Sequence, residues 1–364
     1  MASAMTHPST TAQTAPAQTT AGPAASGAGD FMTSGDLLGL RGLPRDAMLQ
    51  LLRRARALAS RAGRATAKAQ AATPEIPTLA GKLVATLFFE PSTRTRVSFE
   101  IAAKRLGAEC VHAGGPGASV SKGETIAETA RTIDAMGPDA IVVRAEPAGA
   151  ASMVARTLDA TTHGGRARII NAGDGRRAHP TQGLLDALAL ADALDRADGA
   201  LDGVHAIIVG DIANSRVARS DIYAFTTLGA RVTLVGPPGL APNAMARLAP
   251  NVRVTHDLDE ALADEPNAVQ ALRVQFERRA SIASPRAYRS AYGLTDERAS
   301  RLKAGTVIMH PGPANPGLEI DLNVLTGAHA NIRSMVSAQV AAGVAVRMAV
   351  LEQALGAATP RGDA

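Results

Sequence analysis

The chain has 364 residues, 38 Lys and Arg against 33 Asp and Glu, and a formal net charge of +5. This length suits two domains of about 100–200 residues each, and 46% hydrophobic with 20% charged residues is typical of a folded globular protein. One cysteine, Cys110, excludes a disulfide framework and favours a reducing, cytoplasmic location. No apolar run is expected to approach the roughly 20 residues of a membrane helix, so a membrane is not a predicted partner.

The basic residues leave a nucleic-acid-binding function open as the weakest alternative. Only five of them are lysines, and the arginines are scattered along the chain without a dense run. Three Tyr, six Phe and no Trp leave few rings on which bases could stack. We therefore expect no nucleic acid partner, and expect instead that a few arginines converge on small anions, because the guanidinium group binds phosphate and carboxylate bidentately.

Residues 1–30 form the first predicted segment, a disordered tail. They are mostly Ala, Thr, Ser, Pro, Gln and Gly, and such a composition buries too little apolar surface to offset the entropy of ordering. The stretch also lacks the basic start and apolar centre of a signal peptide. Residues 357–364 are expected to be similar.

Nine apolar, β-rich runs follow, most of them separated by helical patterns. They span residues 83–89, 110–112, 140–143, 168–170, 204–209, 231–235, 252–254, 268–272 and 306–309. Their spacing of roughly 25–40 residues is that of a strand with its crossover helix, and near-continuous apolar strands indicate parallel sheets covered on both faces. The predicted fold is α/β with two domains of similar size, each a mainly parallel sheet flanked by helices. The predicted limits are residues 31–182, together with a C-terminal helix over 335–356 that packs back on this first domain, and residues 183–334.

The ends of the strands are where open α/β sheets bind ligands. After the first strand, Ser92, Thr93, Arg94 and Thr95 stand at the predicted start of a helix. Hydroxyls, a guanidinium group and free backbone N–H groups there favour binding of one phosphate. The alternative is that Ser92 or Thr93 merely caps the helix.

Five segments in one order make the chain resemble a known family, the aspartate and ornithine carbamoyltransferases. The resemblance covers residues 36–356. The segments are residues 88–96 (FFEPSTRTR), 122–125 (KGET), 171–175 (NAGDG) with 179–182 (HPTQ), 272–275 (LRVQ) and 310–313 (HPGP). The last three are similar to the aspartate-specific pattern, since ornithine enzymes usually carry HPCQ and HCLP.

This resemblance implies an enzyme that transfers the carbamoyl group of carbamoyl phosphate to the α-amine of L-aspartate. The products are N-carbamoyl-L-aspartate and phosphate, which is the committed step toward pyrimidines. It implies Thr95, Arg144 and His179 as catalytic residues that stabilise charge on the carbonyl oxygen. It implies as carbamoyl-phosphate ligands Ser92, Thr93, Arg94, Thr95, Arg144, His179, Gln182, Gly312 and Pro313, and as L-aspartate ligands Lys122, Arg216, Arg273 and Gln275. No cofactor and no metal are expected.

The resemblance also implies a homotrimer, in which Lys122 reaches the site of a neighbouring subunit. Two departures from the family pattern are Ala118, where some members place a serine, and Pro316, where many place an arginine. A regulatory chain or a dihydroorotase partner is left open, as are nucleotide control and the role of the tail. Two further alternatives are an ornithine-type carbamoyltransferase and a catalytically silent scaffold that assembles with another pyrimidine enzyme.

Overall fold

The structure is a computed structural model that describes Met1 and residues 35–68, 78–113, 123–161, 166–274 and 284–356. The predicted tail therefore lies outside the described residues. Ten described strands form two sheets in which every neighbouring pair is parallel. This confirms the predicted fold class.

The first sheet belongs to the N-terminal half of the chain. Its strands are β1 (Leu83–Phe88), β2 (Glu109–Ala113), β3 (Ala140–Ala145) and β4 (Arg168–Asp174), in the spatial order β2-β1-β3-β4. Its helices are α1 (Arg45–Lys68), α2 (Thr93–Arg105), α3 (Ile126–Asp134), α4 (Ala150–Thr161) and α5 (Pro180–Ala193). Every residue of β3 is buried, which is why this strand reads as a continuous apolar run in the sequence.

The second sheet has six strands. They are β5 (His205–Val209), β6 (Arg231–Val235), β7 (Val252–Thr255), β8 (Ala268–Ala271), β9 (Thr306–Met309) and β10 (Ile332–Ser334), in the order β10-β9-β8-β5-β6-β7. The helices of this half are α6 (Arg216–Thr227), a 3₁₀ helix (Asn243–Leu248), α7 (Leu258–Ala263), α8 (Pro285–Tyr292), α9 (Asp296–Ser300), α10 (Leu322–Thr326) and finally α11 (Val336–Gly356). All nine predicted strands are present, and β10 is the one that was missed.

The last helix, α11, returns to the first half of the molecule, as predicted, and packs against α1, α2 and α5. The expectation that no apolar run approaches membrane-spanning length is wrong for this helix. By length and composition alone, α11 could cross a membrane. However, 61% of its most apolar stretch is buried inside the protein, so its apolar surface is accounted for by packing. The predicted domain limits stay a prediction; residue 182 lies within α5, which packs against both α6 and α11.

Candidate active site

A cleft of about 1160 Å³ lies between the two halves of the molecule. It is lined by residues that follow the carboxyl ends of β1, β4, β5, β8 and β9, the edge where open parallel sheets bind ligands. Eleven of the thirteen predicted site residues line it: Ser92, Thr93, Arg94, Thr95, Arg144, His179, Gln182, Arg216, Arg273, Gly312 and Pro313. The other two, Lys122 and Gln275, lie outside the described residues, as does Ala118.

The start of α2 is arranged to receive an anion rather than to cap itself. Ser92 occupies the N-cap position with an extended backbone, but its side chain makes no capping hydrogen bond. By contrast, Thr125 and Ser215 cap α3 and α6 by accepting from Glu128 N and Ala218 N. Thr93 is the first helical residue and not the residue before the helix, so it does not occupy the capping position either. The capping alternative therefore has no support, and the first N–H groups of α2 remain available to a ligand.

Arg94 extends from this helix start to the segment after β9. Its Nη1 donates to the carbonyl oxygen of Pro311 at 3.3 Å. Gly312 adopts a φ of +65°, and a Cβ there would collide with the same Nη1, so glycine is required by both backbone conformation and space. Burial lowers the pKa of Arg94, and the nearby Arg273 lowers it further. An anion between these two cations would relieve their repulsion.

The turn from β4 into α5 positions His179. Buried Asp174 accepts from Ala178 N at 3.0 Å and from Asn171 Nδ2 at 3.0 Å, which closes the chain before the helix. Pro180 follows at the first helical position, where no N–H donor is needed. His179 itself is the N-cap residue, and its side chain makes no capping hydrogen bond.

His179 is a buried, neutral imidazole. Burial holds its pKa well below the ordinary value of 6.5, and the positive charges of Arg144, Arg216 and Arg347 add to this effect. Its Nδ1 is buried without a hydrogen-bond partner, and its backbone N–H donates to Ser220 Oγ at 2.9 Å. A neutral imidazole at neutral pH serves as a hydrogen-bonding group for a polar ligand, not as a charged acid.

Glu90, which was not predicted as a site residue, joins the two halves across the cleft. Its carboxylate accepts from Arg216 at 2.8 and 2.9 Å and from Arg144 at 3.1 Å. Burial alone would raise the pKa of Glu90, but the two guanidinium groups outweigh it and hold the pKa below 4.5. Gly173 makes room for this cluster, since with φ at +120° an added Cβ would lie 2.9 Å from Arg144 Nη1 and 3.1 Å from Arg216 Nε.

The sequence alone places Arg144 just after the predicted strand 140–143 and Arg216 in a loop over residues 212–217, and both placements are wrong. Arg144 lies within β3, not after the strand, and it is buried, so burial lowers its pKa to about 10 and Arg216 contributes to the same shift. Arg216 is the first residue of α6, not a loop residue. Both side chains nevertheless line the cleft, because the end of β3 and the start of α6 lie at the carboxyl ends of the two sheets, where Glu90 accepts hydrogen bonds from both arginines.

The segment after β9 is held from within. His310 Nδ1 accepts from Gly312 N at 2.8 Å, and its Nε2 lies 3.3 Å from Glu319 Oε1, with both side chains buried. Glu319 also accepts from the backbone N–H of Asn315 at 2.5 Å. These contacts fix the backbone of residues 310–315, whose Pro311, Gly312 and Pro313 line the cleft.

Charge and shape together suit two anionic ligands. Six arginines and three acidic residues line the cleft: Arg94, Arg144, Arg176, Arg216, Arg273 and Arg347, with Glu90, Glu146 and Asp211. Besides Glu90, sequence reasoning missed Gln339 and Arg347, which come from α11. Glu90 lies in the segment 88–96 that carries the family resemblance, just after β1. By contrast, nothing in the apolar pattern of α11 marks Gln339 and Arg347 as part of a site.

The sequence matches two family profiles, one for each half. The aspartate/ornithine carbamoyltransferase carbamoyl-P binding domain matches residues 35–192, and the Asp/Orn binding domain matches residues 202–354. The chain belongs to the aspartate/ornithine carbamoyltransferase family. Its carbamoyltransferase relatives include the aspartate carbamoyltransferase catalytic subunit of Leifsonia xyli subsp. xyli, with 46% identity over 322 residues that cover 86% of this chain and 96% of the relative.

Solved carbamoyltransferases share the fold. The aspartate transcarbamoylase of Trypanosoma cruzi in complex with carbamoyl phosphate and aspartate superposes with a TM-score of 0.73 and 26% identity, covering 87% of this chain and 95% of the other. The ornithine carbamoyltransferase of Pyrococcus furiosus gives a TM-score of 0.71 and 26% identity, covering 89% and 98%. The fold therefore supports this family assignment but does not distinguish the two amino acid substrates.

Proposed function

We propose that this chain is an aspartate carbamoyltransferase, which transfers the carbamoyl group of carbamoyl phosphate to the α-amine of L-aspartate in pyrimidine biosynthesis. One observation carries the proposal: a single cleft combines an uncapped helix start with arginines from both halves. A phosphorylated donor and a dicarboxylate acceptor are the ligands that such a charge distribution fits. The identity to relatives named aspartate carbamoyltransferase catalytic subunit supports it.

The first half is proposed to bind the donor. The phosphate lies at the start of α2, where Ser92, Thr93, Arg94 and Thr95 offer hydroxyls, N–H groups and a guanidinium group. The carbonyl oxygen of the carbamoyl group points to Thr95, Arg144 and His179. With the donor in this place, Gln182 contacts its NH2 group, and the carbonyl groups around Pro311 and Gly312 accept from the same NH2 group. Pro313 lies beside them as a further ligand of the donor.

The reaction then needs orientation and charge stabilisation. The aspartate amine attacks the carbonyl carbon, the bond between this carbon and the bridging oxygen breaks, and phosphate leaves with that oxygen and with the proton that the amine gives up. Negative charge that grows on the carbonyl oxygen is stabilised by Thr95, Arg144 and neutral His179. Holding two anionic substrates side by side supplies the rest of the rate enhancement.

The second half is proposed to select aspartate. Arg216 binds the α-carboxylate and Arg273 the side-chain carboxylate, with Gln275 beside it. A cation at Arg273 would repel the side-chain ammonium of ornithine, and this favours aspartate over the ornithine-type alternative. The six arginines that line the cleft give it a positive charge, which also favours a dicarboxylate over an amino acid with a cationic side chain.

A homotrimer with shared sites, located in the cytoplasm, is part of the proposal. Exposed apolar residues on one side of the first half support an interface there: Val97 and Ile101 on α2 are 38% exposed, and Val111 on β2 is 46% exposed. β2 leads directly into the segment that carries Lys122, the residue proposed to enter the neighbouring site. A regulatory chain or a dihydroorotase partner stays a prediction.

The deciding experiment offers the purified chain carbamoyl phosphate with either L-aspartate or L-ornithine. We expect carbamoyl-aspartate and phosphate in equal amounts, and no citrulline. Citrulline formation would favour the ornithine-type alternative. No product with either amino acid from a folded, oligomeric chain would favour the silent scaffold.

A further inference from the structure

Two buried carboxyl groups lie behind the cleft, one on each side of the contact between the two halves. Asp186 is on α5 and Asp221 on α6, both are fully buried, and their carboxyl groups are close enough to share a hydrogen bond when one of them is protonated. A hydrogen bond between two carboxyl groups requires a proton on one of them. The surrounding donors decide which residue carries this proton.

The assignment starts from a backbone group whose role cannot change. The N–H of His310 donates to Gln339 Oε1 at 3.0 Å, so the other end of that amide, Nε2, must face away from His310. Nε2 lies 2.6 Å from Asp186 Oδ1, and an amide nitrogen only donates. Asp186 Oδ1 is therefore an acceptor.

Gln182 approaches the same carboxyl group from the preceding turn of α5. Its Nε2 lies 3.0 Å from Oδ1 and 3.1 Å from Oδ2 of Asp186. Burial raises the pKa of Asp186 to about 6, but both of its oxygens face amide donors, and these donors and the positive charge of Arg347 oppose the rise and favour its ionised form. Asp186 is the ionised member of the pair.

Asp221 is in the opposite situation. Its Oδ2 faces Gln270 Nε2 at 2.5 Å, but its Oδ1 is buried without a donor. Burial raises the pKa of Asp221 well above the ordinary value of 3.8, and the charge of Asp186 raises it further. Geometry and charge both assign the proton to Asp221, which donates it to Asp186.

We propose that ionised Asp186, hydrogen-bonded by protonated Asp221, is a positioning residue that holds the Gln182 amide with its carbonyl oxygen toward the cleft. The inference rests on the proposed function. Gln182 lines the cleft, and with Nε2 committed to Asp186, the group it presents to the donor substrate is an acceptor. An acceptor there recognises the NH2 group of a carbamoyl donor and offers nothing to the methyl group of acetyl phosphate. The Asp186 charge thus makes the pocket select a carbamoyl group over an acetyl group.

The same carboxylate also anchors the opposite wall of the pocket. Through Gln339 it holds the backbone N–H of His310, at the start of the segment whose Pro311 and Gly312 line the cleft. One ionised group therefore accepts from two amides on two helices, although the N–H of His310 fixes which end of the Gln339 amide faces it. A neutral residue at position 186 would let the Gln182 amide turn over, whereas the N–H of His310 would still orient the Gln339 amide.

The test compares the wild-type protein with Asp186→Asn and Asp221→Asn. For each protein, the KM for carbamoyl phosphate is measured together with the inhibition constants of acetyl phosphate and inorganic phosphate. In Asp186→Asn the KM for carbamoyl phosphate should rise about tenfold, the effect of about 1.4 kcal/mol for one lost hydrogen bond and its unsatisfied partner. Inhibition by acetyl phosphate and by inorganic phosphate should be unchanged, because neither ligand carries the NH2 group for which Gln182 is positioned. A merely structural defect would weaken all three ligands equally.

Asp221→Asn is the matched variant. Its neutral side-chain amide replaces the protonated carboxyl group as donor to Asp186, so the preference for carbamoyl over acetyl phosphate should be retained. If Asp186→Asn keeps the wild-type preference, or if Asp221→Asn loses it, the proposal is overturned. Should Asp186→Asn fail to fold, infrared spectroscopy decides: the wild type must show a protonated carboxyl band at neutral pH that disappears in Asp221→Asn. Loss of wild-type activity with carbamoyl phosphate and aspartate would instead count against the proposed function itself.

Discussion

Replacing Glu90 by glutamine tests how the two halves are held together. The change keeps the size of the side chain and removes its charge. Of the two oxygens that accept three hydrogen bonds of 2.8–3.1 Å from Arg216 and Arg144, one is replaced by an NH2 group that cannot accept. A charge pair at about 4 Å is worth roughly 4 kcal/mol at an effective dielectric constant of 20. Desolvation cancels much of that attraction, and about 30% of the Glu90 side chain remains exposed to screening water. We therefore expect a net loss of about 2 kcal/mol in unfolding free energy.

The same variant should impair use of aspartate. Glu90 holds Arg216 in the position from which we propose that it binds the α-carboxylate, so a loss of about 1.4–2.8 kcal/mol of preorganisation lowers kcat/KM for aspartate roughly 10- to 100-fold. Urea unfolding and initial rates at varied aspartate measure the two effects. Glu265→Gln is the control, because its ion pair with Lys303 is largely exposed and such pairs contribute about 0–1 kcal/mol.

The pH dependence gives a third check on Glu90. Because its pKa is lowered below 4.5 in the folded protein, its stabilising contribution is fully present above that pH and is lost as the pH falls through the folded value. The difference in stability between the wild type and Glu90→Gln should accordingly shrink in acid. An unchanged unfolding midpoint together with unchanged kcat/KM at neutral pH would refute the account of Glu90 as the link between the halves.

Three further substitutions test the proposed ligands. Arg94→Ala should abolish carbamoyl-phosphate binding and turnover, measured by calorimetric titration and initial rates; near-normal kinetics would contradict the phosphate assignment. Arg273→Ala should mainly raise the KM for aspartate and leave carbamoyl-phosphate binding intact, and an unchanged aspartate saturation curve would remove Arg273 from the site. Mixing inactive Lys122→Ala and Arg94→Ala subunits should restore part of the activity if Lys122 acts in a neighbouring subunit, whereas no recovery in mixed trimers would exclude the shared site.

Most of the fold could be predicted because strands buried on both faces leave a readable pattern. The run that became β3 is apolar throughout and is buried throughout. β10 could not be found in this way, since its three residues include Arg333 and Ser334. The placement of Arg144 failed for a related reason: a charged residue was taken as the end of a strand, but Glu90 and the carbonyl oxygen of Ala172 satisfy it inside β3.

The convergence of polar residues at the start of α2 was also predictable, and the polar contacts behind the cleft were not. Ser92 to Thr95 stand together in the sequence after a strand, so their convergence is local. The contact of Asp186 with Gln339 joins residues 153 positions apart, and nothing in the periodicity of α5 or α11 indicates which buried polar groups meet. Arg347 is likewise buried in α11, 5.3 Å from the Phe99 ring, in a helix whose pattern is otherwise that of a core element.

The return of α11 to the first half has a consequence for synthesis. This helix covers α1, α2 and α5 and supplies Gln339 and Arg347 to the cleft, yet it follows both sheets in the chain and is translated after them. Although domains generally fold as units from the N-terminus on the ribosome, the N-terminal half of a nascent chain lacks one wall of its own core. A stop codon shortly before residue 336 would therefore leave an exposed apolar surface and an incomplete donor pocket, even with both sheets fully encoded.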